Sequence, residues 1–301
     1  MTSPVKVAAG RWALILLGAL APLAKSAEPP PGPDVYRVVT WSSMSDRTLS
    51  PLATLIQSAE GTRWRHAESD RVMAHAATLD ELGALMDEAH YAWRAVGQQL
   101  GLPPPARRAR LIYVYETATW DRLTREGGIR PDGLALQVGS DIVLKVDAAQ
   151  QQRLDRIAHE LVHFRLREAY GDRLPLWLEE GLATRMGVRI ARDFNNTKGQ
   201  PVAGQWPAVA ADDLLEPEVL LSYDHYPEAP AAAQAFGRQA AELVELLSEK
   251  IGPARWPSAL REIGARGDWR SVLASGYGVD MTSLHHMVTL AASRSARPWV
   301  F

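Results

Sequence analysis

A chain of 301 residues can form one large domain or two modest ones, and 47% hydrophobic with 23% charged residues is the make-up of an ordinary globular protein. A formal charge of -2 lacks the basic excess of a nucleic-acid surface, so no nucleic-acid partner is expected. The absence of cysteine excludes disulfides, thiolate metal sites and cysteine nucleophiles, and leaves any metal to His, Asp or Glu.

Residues 1–27 read as a secretory signal peptide. Lys6 and Arg11 supply the positive start, Trp12 to Ala24 forms an apolar run too short to span a bilayer comfortably, and small residues follow, with cleavage near Ser26 or Ala27. Export is expected, to a bacterial periplasm, with no stable membrane insertion once the signal is removed; an uncleaved membrane anchor is the alternative. Residues 28–62 form a proline-rich linker, "EPPPGPD", and an N-terminal segment of irregular chain with one short helix.

Asp70 to Thr78 then reads as a strand. Thr78 and Glu81 form a capping box that opens a strong helix, closed by Gly101. "RARLIYVYE" is a β-rich run, "TATWDRLTREGG" a short helix, and "GLALQVGSDIVLKV" splits at Gly139-Ser140 into a hairpin. Asp147 and Gln150 resemble a second capping box, opening a helix that Gly171 ends. After Gly187 the composition becomes turn-rich, and residues 191–230 are expected to be a connection. Residues 231–301 are helical throughout, with Pro257 in a first turn. The chain is thus α+β at the front and all-α at the back, and a groove between the halves is the natural place for a site.

The informative stretch is "RLDRIAHELVHFRLREAYGDRLPLWLEEGLATR". On a helix, His159 and His163 lie one turn apart on one face, so both can reach one ion about 2.0–2.1 Å away. Glu160 points about 100° away from His159, beside the metal instead of on it. There it can take a proton from a water whose pKa zinc lowers to about 7. The competing reading is an amphipathic helix that happens to carry two histidines. Leu154, Ile157, Ala158, Leu161 and Val162 give this helix an apolar surface, and buried histidines need partners, of which a metal is the simplest. A second helix starts near Leu176, seated by Trp177, Leu178 and Leu182. Either Glu179 or Glu180 could supply the third ligand, but they point about 100° apart, so only one can serve. Gly181 would let this helix approach the one carrying HExxH. His66, His75, His285 and His286 read as packing or surface residues, and the aromatic residues of "HYAW" as core.

"HELVH" followed by "WLEEGLA" resembles the gluzincin zinc peptidases, particularly the bacterial peptidase MA-like group. The resemblance extends through the order of elements from Trp64 to Leu290. It implies a zincin-like catalytic subdomain over residues 63–190, a small mixed β-sheet packed with helices including the HExxH helix, followed by an all-α C-terminal subdomain. It also implies that Glu180, directly before the glycine, is the third Zn2+ ligand, which leaves Glu179 a rim or substrate-facing role. An edge strand within Gly133 to Val138 or Asp141 to Val146 would take an extended peptide by strand addition. The sequence departs from the family in two places. Thermolysin-like enzymes have an aspartate four residues after the third ligand, where Thr184 stands here. Relatives often carry Tyr-x-Gln in the first helix of the tail, where Gly237-Arg238-Gln239 stands. Thr184 is then a supporting group, and Tyr223, His225 and Tyr226 are candidate oxyanion donors in place of the missing tyrosine.

The expectation is an exported zinc metallopeptidase acting on a peptide or protein, with His159, His163 and Glu180 on the metal and Glu160 as general base. A zinc-binding pseudopeptidase serving as a cell-envelope binding module is one alternative. A structural exported protein with a fortuitous HExxH is the other.

Overall fold

The computed structural model describes residues 35–127, 134–146, 153–199 and 208–299. The segment read as a signal peptide, the Asp147–Gln150 capping box and the termination of the tail at 300–301 lie outside them.

A short strand, β1 (Arg37–Val39), is followed by helix α1 (Pro51–Glu60), capped by the Ser50 hydroxyl, and by the hairpin of β2 (Arg65–Glu68) and β3 (Val72–Ala76). Helix α2 (Leu79–Leu100) opens on the expected capping box, in which Thr78 Oγ1 accepts from Glu81 N and Glu81 accepts from Thr78 N. It ends at Gly101, whose φ of 61° is the left-handed conformation that glycine adopts without strain. Strand β4 (Ala109–Val114), helix α3 (Thr117–Gly127) and the hairpin of β5 (Ala135–Val138) and β6 (Asp141–Lys145) complete the sheet.

The strand order is β1-β2-β3-β4-β6-β5. β3–β4 and β4–β6 are parallel and the other pairs antiparallel, so the sheet is mixed, as expected of an α+β fold. Strand alternation divides the core. Leu111 and Tyr113 of β4 face the large cluster that includes α2, while Ile112 and Val114 face a smaller one with Ile56 and Trp120. β6 is interior, so of the two candidate edge segments only β5 is an edge.

The second half is helical: α4 (Arg153–Tyr170), α5 (Leu176–Thr197), α6 (Pro217–Ser222), α7 (Pro230–Ile251), α8 (Trp256–Arg266), α9 (Trp269–Tyr277) and α10 (Met281–Ser295). Residues from Asp34 onward form one unit. Among the described residues no helix is long and apolar enough to cross a membrane.

Two local expectations are corrected, and one is narrowed: of the packing or surface roles expected for His66 and His75, both take the packing one. The segment before Glu60 contains β1, tied to β2 by Arg37 Nε and Nη2 donating to Glu68. The turn-rich stretch after Gly187 begins as helix, since α5 continues to Thr197. Phe194 packs edge-on against Tyr91 of α2 at 4.9 Å, and this tertiary contact overrides the weak local propensity of "DFNN". His66 and His75 are buried side by side, with their Nδ1 atoms 2.8 Å apart between Trp41 and Trp64.

Two glycines set the helix spacing at the site. A Cβ on Gly187 would stand 2.5 Å from Asp155 Oδ1 and 2.8 Å from Asp155 O, so Gly187 is what lets α5 close on α4. Gly181 faces α7 instead, where a Cβ would stand 2.4 Å from the backbone oxygen of Ala240. Because that neighbour is backbone, Gly181→Ala must push α5 and α7 apart. We expect it to destabilise the fold by about 2–3 kcal/mol in urea unfolding, against little effect for Gly276→Ala in α9, where a Cβ would meet only Glu262 Oε2 at 3.7 Å. Equal stability of Gly181→Ala and parent would refute this account of the packing.

Candidate metal centre

α4 and α5 lie side by side, and α7 packs on α5. The residues that seat α5 are the ones expected: Trp177, Leu178 and Leu182 are all buried. The same contacts point Glu179 and Glu180 at the histidine face of α4.

His159, His163 and Glu180 converge, each offering one ligand atom, with these atoms within 4.8 Å of one another. The two Nε2 atoms are 3.1 Å apart, His159 Nε2 is 3.6 Å from Glu180 Oε1, and His163 Nε2 is 3.3 Å from Glu180 Oε2. A tetrahedral zinc about 2.0–2.2 Å from its donors spaces them about 3.3–3.5 Å apart. The two histidines meet different oxygens of Glu180, so the spacing brings all three side chains within reach of one ion without defining its tetrahedron. Two imidazoles and one carboxylate are a donor set suited to zinc, and three protein donors leave a fourth position open. His163 keeps 6% of its side-chain surface and His159 22%, so the open side is that of His159.

Glu160 is buried on α4. Burial pushes its pKa up, the neighbouring His159 and His163 charges draw it down, and Glu180 pushes it up again; the net shift is upward. Arg167 is also close enough for its charge to act on Glu160.

Glu179 occupies neither a rim nor a substrate-facing position. It is buried, and its Oε1 lies 2.6 Å from His163 Nδ1 and accepts from Arg167 Nε at 3.1 Å. An imidazole has nitrogens on two sides. Glu180 faces His163 at Nε2 while its neighbour Glu179 meets the same ring at Nδ1, so the 100° between adjacent helical residues serves both contacts. This is the carboxylate–histidine support that fixes ring orientation and raises ligand basicity. Burial works against ionisation of Glu179, but the His163 bond and Arg167 outweigh it and its pKa is lowered.

Thr184, also buried, donates from Oγ1 to Glu180 Oε1 at 3.3 Å, so it supports the carboxylate and not an imidazole. Among the candidate donors in "SYDHYPE", the Tyr226 hydroxyl donates to Glu180 Oε2. Tyr223 packs edge-on against Phe236, and His225 is exposed and paired with Asp224. Gly237 of α7 lies over the centre: a Cβ there would be 3.6 Å from Glu180 Oε1 and 3.7 Å from Thr184 Oγ1, so this position faces the site. Arg167 escaped the reading of the sequence, although its spacing of four from His163 puts it on the same face of α4.

His163 makes the centre sensitive to pH. Burial lowers its pKa, but its bonds to Glu179 and Glu180 more than offset this and raise it well above the ordinary value. The protonated ring thus stabilises the metal-free fold below the ordinary histidine pKa, and that contribution is lost as pH rises through the higher folded value. A zinc ion bound there would have to displace this proton. Apparent zinc affinity should therefore climb about tenfold per pH unit from about pH 6 to about pH 8. A flat profile in a chelator-competition titration would contradict it.

No protein-family model and no curated protein matches the sequence. Among solved structures, the chain is similar to an M1 zinc metallopeptidase from Deinococcus radiodurans at 15% identity and a TM-score of 0.38, covering 76% of this chain and 49% of that one. A point mutant of the M1 enzyme from the same organism gives 14% identity and 0.38 over 73% and 47%. A two-domain M1 zinc metallopeptidase mutant bound to L-arginine gives the same figures, 14%, 0.38, 73% and 47%. This chain thus spans about half the length of the enzymes it matches. At such similarity the reading of the site rests on its own geometry.

Proposed function

We propose that this chain is an exported zinc metallopeptidase of gluzincin type, acting on peptides or small proteins. One observation carries the reading: His159, His163 and Glu180 each bring a ligand atom within 4.8 Å of the others, on two helices locked together by Gly187, with a buried glutamate directly after the first histidine. The N-terminal segment, with its short apolar run between basic residues and a proline-rich linker, supports export to a periplasm.

His159, His163 and Glu180 would hold the zinc, which when bound would supply a Lewis acid to polarise a scissile carbonyl and acidify a water. Glu160 takes the proton of the attacking water and returns it to the departing amine. Its upward-shifted pKa suits a group that must hold a proton between the two transfers. Glu179 keeps His163 in place from Nδ1, and Thr184 keeps Glu180. Tyr226, with its hydroxyl on Glu180, is the candidate donor to the oxygen on which negative charge develops. The outer edge of β5 receives the peptide backbone.

The test is metal analysis of the purified mature chain together with a peptide-library cleavage screen. Stoichiometric zinc with chelator-sensitive cleavage supports the proposal. Zinc without turnover would instead leave the pseudopeptidase module, which the glycine at position 237 favours, and a chain that takes up no zinc would sink both.

A further inference from the structure

The edge strand and the metal helix are joined by one side chain. Arg167 of α4 donates from Nη1 to Gln137 Oε1 at 2.8 Å and from Nε to Glu179 at 3.1 Å. Among the described residues its Nη2 has no partner, and 42% of the side chain is exposed.

The register of β5 fixes what an added strand would present to it. Lys145 N donates to Leu134 O, which makes Leu134 and Lys145 a bonded pair. By alternation Leu136 and Val138 also turn their backbone groups inward to β6, and Ala135 and Gln137 turn theirs to the free edge. Side chains alternate independently. Leu136 enters the smaller core, Ala135 packs on the larger, and Gln137 shares the face of Ala135, where α4 lies. A substrate residue paired with Gln137 has its side chain on that same face, a cross-strand neighbour about 4.5–5.5 Å away. It therefore points at Arg167. Glu179 is buried and turned to His163 and the inner Nε, so the substrate meets the outer, donor-bearing end of the guanidinium.

We propose that Arg167 makes the subsite opposite Gln137 selective for a carboxylate, so that the preferred substrate is an extended peptide with Asp or Glu at that one position. The inference rests on the peptidase reading above for its orientation of substrate, but it is tested by binding. The zinc-loaded Glu160→Gln variant is titrated by fluorescence anisotropy with labelled octapeptides in which Glu or Gln is placed at each position in turn. One position should favour Glu by about five- to tenfold, the scale of a partly exposed charge-assisted contact. Arg167→Gln should abolish the preference, and Arg167→Glu should turn it toward Lys. Gln137→Glu, which occupies Arg167 without touching Glu179, should abolish it too, with zinc content unchanged. A preference absent at every position, or one that survives both Arg167→Gln and Gln137→Glu, overturns the proposal. Failure of the parent to hydrolyse any peptide, with the charge preference intact, would remove the peptidase reading and leave this subsite standing.

Discussion

Glu160→Gln should retain zinc at the parent's stoichiometry while peptide hydrolysis falls by about 100- to 10,000-fold, the range general acid–base groups contribute. The amide has the shape of the acid but no lone pair basic enough to take a proton from water. The parent carboxyl sits in a buried place where His159, His163 and Arg167 offset only part of its desolvation, so its pKa stays raised. The neutral amide loses that interaction without leaving a buried charge unpaired, so the fold should be no less stable than the parent's. Glu160 stands outside the donor triangle of His159, His163 and Glu180, which is why metal content is expected to stay. The measurement is zinc by mass spectrometry on the same sample used for the cleavage assay. Parent-level cleavage with zinc bound would remove Glu160 from the mechanism, and zinc loss would mean that the glutamate holds the centre together.

Much of this arrangement is legible because local signals agree with tertiary needs. The Thr78–Glu81 box, the left-handed Gly101 and the two-residue turn at Gly139-Ser140 act over a few residues, and the structure has each where its chemistry requires it. His159, His163 and Glu180 are legible for the same reason: helical spacing is a local property, and two helices joined by a short turn have few ways to pack. What escapes notice depends on distant partners. β1 is three residues long and mostly exposed, and it is a strand because Arg37 reaches Glu68. The last turns of α5 hold because Phe194 finds Tyr91. Gly181 reads as a contact with the HExxH helix, and only the packing of α7 shows that it faces the other way. The choice of Tyr226 over Tyr223 at Glu180 likewise turns on where Phe236 seats each ring. Glu179 is the most instructive case. Reasoning that only one of two adjacent glutamates can face a metal is sound, but it omits that a histidine ligand has a second nitrogen in need of a partner.

That second nitrogen changes the result expected for the paired glutamates. Glu180→Ala removes a donor from the triangle, and with it the anchor of Thr184 and Tyr226, so it should cause the largest loss of zinc affinity of any carboxylate replacement here. Glu179→Ala leaves all three donors in place but frees His163 Nδ1 and leaves Arg167 bonded to Gln137 and not to α5. The ring loses its fixed orientation and part of its basicity, for which a fall of about 10- to 100-fold in zinc affinity is expected. Glu179→Gln separates geometry from charge, since its carbonyl oxygen can still accept from Nδ1 while the negative charge is gone; it should fall between parent and Glu179→Ala. Competition against a chelator of known zinc affinity ranks the four proteins at one pH. The order parent, Glu179→Gln, Glu179→Ala, Glu180→Ala is the expected one. Parent-like affinity in Glu179→Ala would show that the contact with His163 contributes nothing to the metal, while a collapse in Glu179→Ala with Glu180→Ala unaffected would exchange the roles of the two residues.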